Sequence, residues 1–337
     1  MSTSRRRVSG ASRLMAITGI GGFIGRRMAE RARERGFRVR GLELDADAAR
    51  RVQQAGFETV VGDVNEPAAV RALCTSAAVV FHTAAIVDEG GDWTRFRRVN
   101  VEGTRHVASV ARDHGVSRFV HLSSVMVYGF DYPRYVSEDG PLRGEGNPYC
   151  QTKIESEDAL RALHRAGEFE TILIRPGDVY GPGSVPWVVR PLELMRRGLF
   201  LLIDGGRGIM NHVHVDNLID GIFLALEREA TGQAFTLTDG AETTFREYFT
   251  RLGKLVGRSR FPSLPAPAAR LAFAAMARTA KALGRKPIAE PEAIRFVTRP
   301  HPYSIERARS WLGYEPRIGL DEGMAELAGW AARGELR

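Results

Sequence analysis

Short apolar runs alternate with amphipathic stretches through the first half of the chain. The amphipathic stretch Phe23–Arg35 predicts a helix, and Gly36 suits the left-handed residue that ends one. Apolar runs bounded by turn residues predict strands at Leu14–Thr18, Phe37–Leu42, Thr59–Val61, Val79–Thr83, Arg118–Ser123 and Thr171–Arg175. Repeated strand–helix–strand units indicate an α/β fold, a doubly wound parallel sheet with helices on both faces.

The pattern changes after Pro176, where glycines and prolines interrupt it and the elements become shorter. One later run, Gln233–Thr238, has the character of a buried strand that returns to the parallel sheet. A proline-rich link at Phe261–Pro267 leads to an alanine-rich helix at Ala269–Leu283. We therefore predict a disordered leader (residues 1–13), a larger domain (14–183, completed by 211–240) and a smaller C-terminal α/β domain (184–210 and 241–337).

Composition narrows the class of protein. A chain of 337 residues that is 44% hydrophobic can bury a full core. The net charge is +8, but four positive charges lie in the leader, and no basic stripe with interleaved aromatic residues indicates a nucleic-acid partner. Those four are Arg5, Arg6, Arg7 and Arg13. With only Cys74 and Cys150, no secretory signal and no long apolar run, we predict a cytoplasmic protein without disulfides or a transmembrane segment.

A glycine-rich loop, Thr18–Gly25, joins the first strand to the first helix. Gly19 permits a tight turn, Gly22 lets the backbone approach a pyrophosphate, and Gly25 lets helix and strand pack closely. The pyrophosphate would meet the free N–H groups at the start of the helix. A glycine-rich turn without ligand has the same composition, but the strand–turn–helix context favours a Rossmann-type dinucleotide site.

The end of the second predicted strand carries Glu43, at the place where a carboxylate accepts hydrogen bonds from the adenosine ribose. A carboxylate repels a 2′-phosphate, so NAD is predicted rather than NADP. Arg26 and Arg27 open the neighbouring helix and could soften that preference, or could simply be exposed helix residues.

Tyr149 and Lys153 are four residues apart, which on a helix places a phenol and an ammonium on one face. A neighbouring ammonium favours the phenolate, and the phenol can then exchange a proton with an alcohol or a ketone. Lys153 is one of only four lysines in an arginine-rich chain, which argues against a chance exposed pair. Ser124 follows a predicted strand and would hydrogen-bond the reacting carbonyl, with Ser123 as the alternative or both serines merely ending the strand.

Together these residues resemble the extended short-chain dehydrogenase/reductase superfamily from Leu14 to about Trp330. Further matching segments are Gly62–Val64, His82–Ala85, Asn100–Thr104, Arg175–Pro182 and Val213–Asn217. The resemblance implies a homodimer, catalysis by Ser124, Tyr149 and Lys153, and an NAD-binding domain at 14–183. It implies a cofactor site formed by Gly19, Gly22, Phe23, Ile24, Gly25, Glu43, Asp63, Val64, Thr83, Ala84, Ala85, Asn100, Ser123, Tyr149, Lys153, Pro176, Gly177 and Val179.

Two departures separate the chain from the sugar-nucleotide members. Asp178 replaces their usual Asn, and Met210 occupies the position of their diphosphate-binding Arg, although Arg207 could substitute for it. A thioether cannot neutralise a diphosphate, and an added carboxylate would repel it. Other segments resemble the 3β-hydroxysteroid dehydrogenase branch: Phe81–Phe96, Phe261–Leu283, His301–Ser304 and Leu312–Pro316. That branch implies a secondary alcohol or ketone on a small hydrophobic, sterol- or terpenoid-like substrate.

Two other functions stay open. One is a nucleotide-sugar epimerase or dehydratase, and the other is a regulator that binds NAD without turnover, against which the intact Ser, Tyr and Lys set argues.

His212 and His214 alternate along a predicted strand but lack a third ligand at suitable spacing, so we predict structural histidines and no metal. Cys150 is expected only to pack. An apolar face around Leu271, Phe273 and Met276 predicts core packing or a substrate lid, with membrane contact as the alternative.

Overall fold

The computed structural model describes residues 13–284 and 290–334. In the first half, strands and helices alternate as β1 (Leu14–Thr18), α1 (Phe23–Glu34), β2 (Arg38–Glu43), α2 (Ala46–Gln54), β3 (Glu58–Val61), α3 (Pro67–Cys74), β4 (Val79–His82), α4 (Trp93–Arg97), α5 (Thr104–Asp113), β5 (Arg118–Leu122), α6 (Pro148–Leu163) and β6 (Glu170–Pro176). A π-helical turn at Arg98–Gly103 makes α4 and α5 continuous.

The second half begins with shorter elements: β7 (Asp178–Tyr180), a helical turn at Val185–Val189, α7 (Arg190–Arg196), β8 (Leu202–Ile203), β9 (Ile209–Met210) and β10 (His212–His214). It continues with α8 (Val215–Glu227), β11 (Ala234–Leu237), β12 (Thr243–Thr244), α9 (Phe245–Gly253), β13 (Ser263–Leu264), α10 (Ala266–Ala282), α11 (Ala293–Val297), a helical turn at Ala308–Leu312, and α12 (Leu320–Ala332).

Seven strands form one sheet in the order β11-β6-β5-β4-β1-β2-β3, and every neighbouring pair is parallel. The chain therefore builds outward from β1 in one direction and from β4 in the other. The connections that leave the carboxyl ends of β1 and β4 run in opposite directions at this reversal, and ligands of doubly wound folds bind in the crevice between them. The predicted Rossmann-type fold is confirmed.

The sheet is buried on both faces because alternate residues of each strand face opposite helical layers. In β1, Met15 and Ile17 pack into one apolar cluster with α1 and α8, whereas Leu14 and Ala16 pack into another with α3 and α5. A third cluster, which includes Tyr180, lies among the short elements of the second half. Three two-stranded ladders, β7–β10, β9–β12 and β8–β13, connect those elements.

The predicted strands are present, and their ends are shifted by at most one residue. β11 pairs with β6 in parallel, as predicted for Gln233–Thr238. The proline-rich link differs from the prediction because Ser263 and Leu264 form β13 against β8. The following helix begins at Ala266, three residues earlier than predicted, since a proline is tolerated in the first helical turn. The described residues contain no helix long and apolar enough to cross a bilayer. Most of the predicted leader lies outside them.

Candidate active site

A cavity of about 590 Å³ opens at the carboxyl ends of β1 and β4 and extends toward the short elements of the second half. One end is lined by the glycine loop and Glu43, and the middle by Ser124, Tyr149 and Lys153. The glycine loop and the predicted catalytic residues therefore share one continuous cavity. Fifteen predicted site residues line it: Gly19, Gly22, Phe23, Ile24, Gly25, Glu43, Thr83, Ala85, Ser123, Ser124, Tyr149, Lys153, Pro176, Gly177 and Val179.

The glycine loop has the geometry that a pyrophosphate requires. Gly19 has a φ of 67°, in the left-handed region that favours glycine, and its N–H donates to the Leu42 carbonyl at 2.8 Å. A Cβ on Gly25 would collide with the Gly19 carbonyl, so only glycine lets α1 approach β1 this closely. No side chain caps α1 at Gly22, which leaves its first N–H groups directed at the cavity for an anion.

Glu43 is held at the end of β2 by the loop itself. Its carboxylate accepts hydrogen bonds from the backbone N–H groups of Gly21 at 2.8 Å and Asp45 at 3.2 Å. The two arginines that could have favoured a 2′-phosphate are engaged elsewhere. Arg27 makes a bidentate ion pair with Asp216 at 2.7 and 2.8 Å, and Arg26 bonds Glu30 at 3.2 Å. Both arginines near Glu43 are therefore paired with carboxylates.

Tyr149 and Lys153 lie on the first two turns of α6. Asn147 caps this helix, because its Oδ1 accepts hydrogen bonds from the N–H groups of Tyr149 and Cys150 at 3.0 and 3.2 Å. Its amide also donates to the Glu89 carbonyl at 2.8 Å, which fixes the helix start against the loop after β4. The Lys153 ammonium reaches the end of β5, where it donates to the Leu122 carbonyl at 2.8 Å.

Burial has the largest effect on the pKa of Tyr149 and on the pKa of Lys153. Burial raises the pKa of Tyr149 to about 12, against a hydrogen bond with Ser124 that lowers it. Burial also lowers the pKa of Lys153 to about 8, against the attraction of Glu157. The lowered phenol pKa that the sequence predicts is therefore not found in the protein alone. Burial has the largest effect on the phenol, and the Lys153 ammonium donates to the Leu122 carbonyl.

Ser124, and not Ser123, is the hydroxyl next to the phenol. Ser124 lies close enough to Tyr149 to lower the phenol pKa, and its Oγ accepts the Met126 N–H at 3.1 Å. Ser123 instead donates to Glu157 Oε1 at 2.6 Å, behind the catalytic pair. Glu157 also forms a buried ion pair with Arg175, at 2.9 Å to Nε and 2.6 Å to Nη2. Ser123, Glu157 and Arg175 therefore form a buried polar layer next to Lys153.

Four residues predicted to bind the cofactor do not line the cavity: Asp63, Val64, Ala84 and Asn100. Asn100 is 2% exposed, and its amide bonds the Ile86 N–H and carbonyl at 2.8 and 3.1 Å and the Thr152 hydroxyl at 3.1 Å. Asn100 therefore joins α6 to the loop after β4, through Thr152 and Ile86. Asp63 accepts hydrogen bonds from Asn65. Ala84 packs directly on Gly19.

The far side of the cavity, here called the apolar wall, was not predicted from the sequence. It includes Trp187, Phe200, Leu202, Phe245, Phe249 and Phe296, contributed by five separate segments. Two arginines line the cavity, and each faces a carboxylate: Arg190 lies 3.3 Å from Glu89, and Arg299 lies 2.5 Å from Asp178. The long sequence separation of these partners left no local pattern by which to find them.

The residues weighed as diphosphate or metal ligands have other contacts. Met210 is completely buried in the apolar cluster of the second half, and Arg207 is exposed and lies outside the cavity lining. His212 bonds Asp239 at 2.9 Å and Thr243 at 2.8 Å. Within the described ranges, no group of three or more His, Cys, Asp or Glu side chains is placed to hold a metal. Cys150 is buried among Met126, Phe130 and Phe296.

The chain is 30% identical over 331 residues to a 4-hydroxy-2-methyl-3-oxo-4-farnesyl-3,4-dihydroquinoline-1-oxide ketoreductase of Stigmatella aurantiaca, covering 95% of this chain and 98% of that protein. It is 30% identical over 330 residues to a 3-beta-hydroxysteroid dehydrogenase of Mycolicibacterium neoaurum, covering 92% and 89%. A UDP-glucose 4-epimerase of Thermotoga maritima, solved with UDP-glucose, shares the fold with a TM-score of 0.77 at 20% identity, covering 95% and 99%.

The NAD dependent epimerase/dehydratase family matches residues 15–237, which contain both the glycine loop and the Tyr149 and Lys153 pair. The chain belongs to this family, the extended short-chain dehydrogenases/reductases, and is an NAD-dependent enzyme of the dehydrogenase/reductase class.

Proposed function

We propose that this protein interconverts a secondary alcohol and a ketone on a hydrophobic substrate, with NAD as cofactor. The observation that carries the proposal is the apolar wall, which begins beside Ser124 and Tyr149 and contains no arginine without a carboxylate partner among the described residues. A substrate in this cavity would be held mainly by buried apolar area, with a few polar contacts to orient it.

Two side chains would perform the proton chemistry. The Ser124 hydroxyl would donate a hydrogen bond to a substrate oxygen, and the Tyr149 phenol beside it would donate a proton to that oxygen during reduction. A pKa raised to about 12 keeps the phenol protonated near neutral pH, which suits reduction. The nicotinamide, when bound, supplies or accepts the hydride.

The same cavity has the contacts that a dinucleotide needs. The uncapped start of α1 would hold the pyrophosphate, Glu43 the adenosine ribose, and Lys153 the second ribose. The engagement of Arg26 and Arg27 by carboxylates supports NAD over NADP.

The two relatives described above are named as a ketoreductase of a farnesyl dihydroquinoline oxide and as a 3-beta-hydroxysteroid dehydrogenase. These names support the apolar substrate class. The nucleotide-sugar epimerase is the second candidate, because that solved structure has the same fold and binds UDP-glucose. A diphosphate requires cations, and the buried Met210 and exposed Arg207 provide none in the cavity.

The test is a screen for NADH formation on sterols, terpenoid alcohols, flavonoid-type diols and nucleotide sugars, with NADPH formation measured in parallel. We expect turnover with NAD on an apolar alcohol and none on nucleotide sugars. Activity confined to nucleotide sugars would replace this proposal by the second candidate. We also propose a homodimer, from the family resemblance, and light scattering of the full chain would measure its mass.

A further inference from the structure

Asp178 and Arg299 form a buried ion pair inside the cavity wall. Arg299 is 1% exposed and Asp178 is 6% exposed, and both line the cavity. Asp178 Oδ2 accepts from Arg299 Nη2 at 2.5 Å and from the Asn211 N–H at 3.0 Å. Neither the proton transfer nor the dinucleotide contacts described above use this pair.

The guanidinium of Arg299 has hydrogen-bonding capacity to spare. Its Nε donates to the Phe296 carbonyl at 2.8 Å, and its Nη1 faces only the Met126 sulfur, at 3.7 Å. A thioether is a weak acceptor, and the other Nη hydrogens meet no acceptor among the described residues. A buried donor without a partner is costly, so an oxygen supplied by a ligand would be strongly favoured there.

The pair lies next to the reacting position. Met126, which contacts Arg299, follows Ser124 by two residues and donates its N–H to the Ser124 hydroxyl at 3.1 Å. Asp178 is close enough to Tyr149 to oppose ionisation of the phenol. A ketone held by Ser124 and Tyr149 would therefore have the Asp178–Arg299 pair beside it in the same cavity.

Asp178 determines which charge a substrate group bound to Arg299 can carry. Asp178 balances the charge of Arg299, so an anionic group would enter a site that is already neutral and would also face a carboxylate. An uncharged oxygen gains a charged donor without that repulsion.

We propose that Arg299, oriented by Asp178, binds a second, uncharged oxygen of an otherwise apolar ketone, and so selects substrates with two nearby oxygens. This inference rests on the proposed function and specifies its substrate class. A β-keto ester fits, whereas a monoketone lacks the second oxygen and a β-keto acid carries a charge.

The experiment compares three ketones of equal chain length in NADH-dependent reduction: a β-keto ester, the monoketone with methylenes in place of the ester, and the β-keto carboxylate. The wild type is compared with Asp178→Asn, with the double variant Arg299→Met/Asp178→Asn, and with Arg309→Met. Arg309 is an exposed arginine paired with Glu306, so its loss controls for a general change of charge. Thermal unfolding and NADH binding establish that each variant is folded.

We expect the wild type to prefer the ester over the monoketone by about tenfold or more in kcat/KM, as for other charged hydrogen bonds. The double variant should lose that ratio, mainly through KM, and Arg309→Met should keep it. Asp178→Asn should shift preference toward the carboxylate by about tenfold. This single variant retains Arg299 and keeps the proposal testable where the double variant does not fold.

Equal losses on ester and monoketone in the double variant, or an unchanged ester-to-carboxylate ratio in Asp178→Asn, would show a purely structural pair and overturn the inference while ketone reduction stands. A wild type that reduces none of the three ketones and turns over no apolar alcohol in the screen described above would overturn the proposed function, and this inference with it.

Discussion

The two sides of the cavity are built in different ways. On the nucleotide side, backbone groups and buried polar side chains hold one another in place, as Lys153 does with the Leu122 carbonyl and Glu157 with Arg175. On the other side, the apolar wall consists of aromatic and aliphatic side chains from short segments, and backbone hydrogen bonds such as that from the Leu202 N–H to the Pro262 carbonyl join these segments. The first construction tolerates little change because each polar group depends on a partner. The second can change residue by residue, so one scaffold can take different substrates.

Loss of the phenol hydroxyl should have the largest effect on activity. Because Tyr149 is the only predicted proton donor at the reacting position, we expect Tyr149→Phe to lower kcat by about three to four orders of magnitude, or roughly 4–5 kcal/mol. Tyr135→Phe is the matched control, since Tyr135 is exposed and bonds Glu242 outside the cavity. NADH binding measured by fluorescence should be unchanged in both. A Tyr149→Phe enzyme that keeps more than a tenth of the wild-type kcat would contradict the assigned role.

The nucleotide side could be predicted from the sequence because its signals are local. The glycine loop and the Tyr149–Lys153 spacing each lie within eight consecutive residues, and the strand and helix periods place them at one edge of the sheet. The buried ion pair and the apolar wall depend instead on contacts between residues that are distant in sequence. The partners Asp178 and Arg299 are 121 residues apart, and the wall draws on five segments, so no periodicity marks them. The phenol pKa was mispredicted for the same reason, because burial depends on packing that spacing does not encode.

Substitution of Arg175 should disrupt the buried polar layer of Ser123, Glu157 and Arg175 and leave the apolar wall intact. Glu157 bonds two arginines through the same Oε2: Arg175, which is 1% exposed, at 2.6 Å, and Arg161, 41% exposed, at 2.8 Å. Removal of Arg175 deprives the buried carboxylate of its one buried cation and leaves only the half-exposed Arg161 beside it, so Arg175→Met should lower the free energy of unfolding by about 3 kcal/mol. Arg161→Met should lower it by less than about 1 kcal/mol. Urea unfolding of the three proteins measures both values, and similar losses would contradict the importance of burial.

The buried ammonium should make stability depend on pH. Its folded pKa of about 8 lies below the ordinary lysine value, so the cost of burying the charge is fully present below pH 8. Between about pH 8 and 10.5 the folded protein binds fewer protons than the unfolded chain, and its stability therefore rises with pH. Relative to Lys153→Met, the wild type should gain up to about 3 kcal/mol across that window. Urea unfolding at several pH values measures the difference, and parallel curves would contradict it.

The smallest expected effect concerns one side chain of the apolar wall. Phe200 lines the cavity and packs edge-on against Phe249 and Phe261, at centroid distances of 4.8 and 4.9 Å. Phe200→Ala should raise KM for a bulky apolar substrate about fivefold to tenfold, near 1 kcal/mol, with kcat nearly unchanged, because the ring contributes buried area rather than proton transfer. The adjacent Leu199 is 56% exposed and lies outside the cavity, so Leu199→Ala should leave both constants unchanged. A fall in kcat instead would mean that the wall also positions the reacting carbonyl, and the two sides of the cavity would then not be separable.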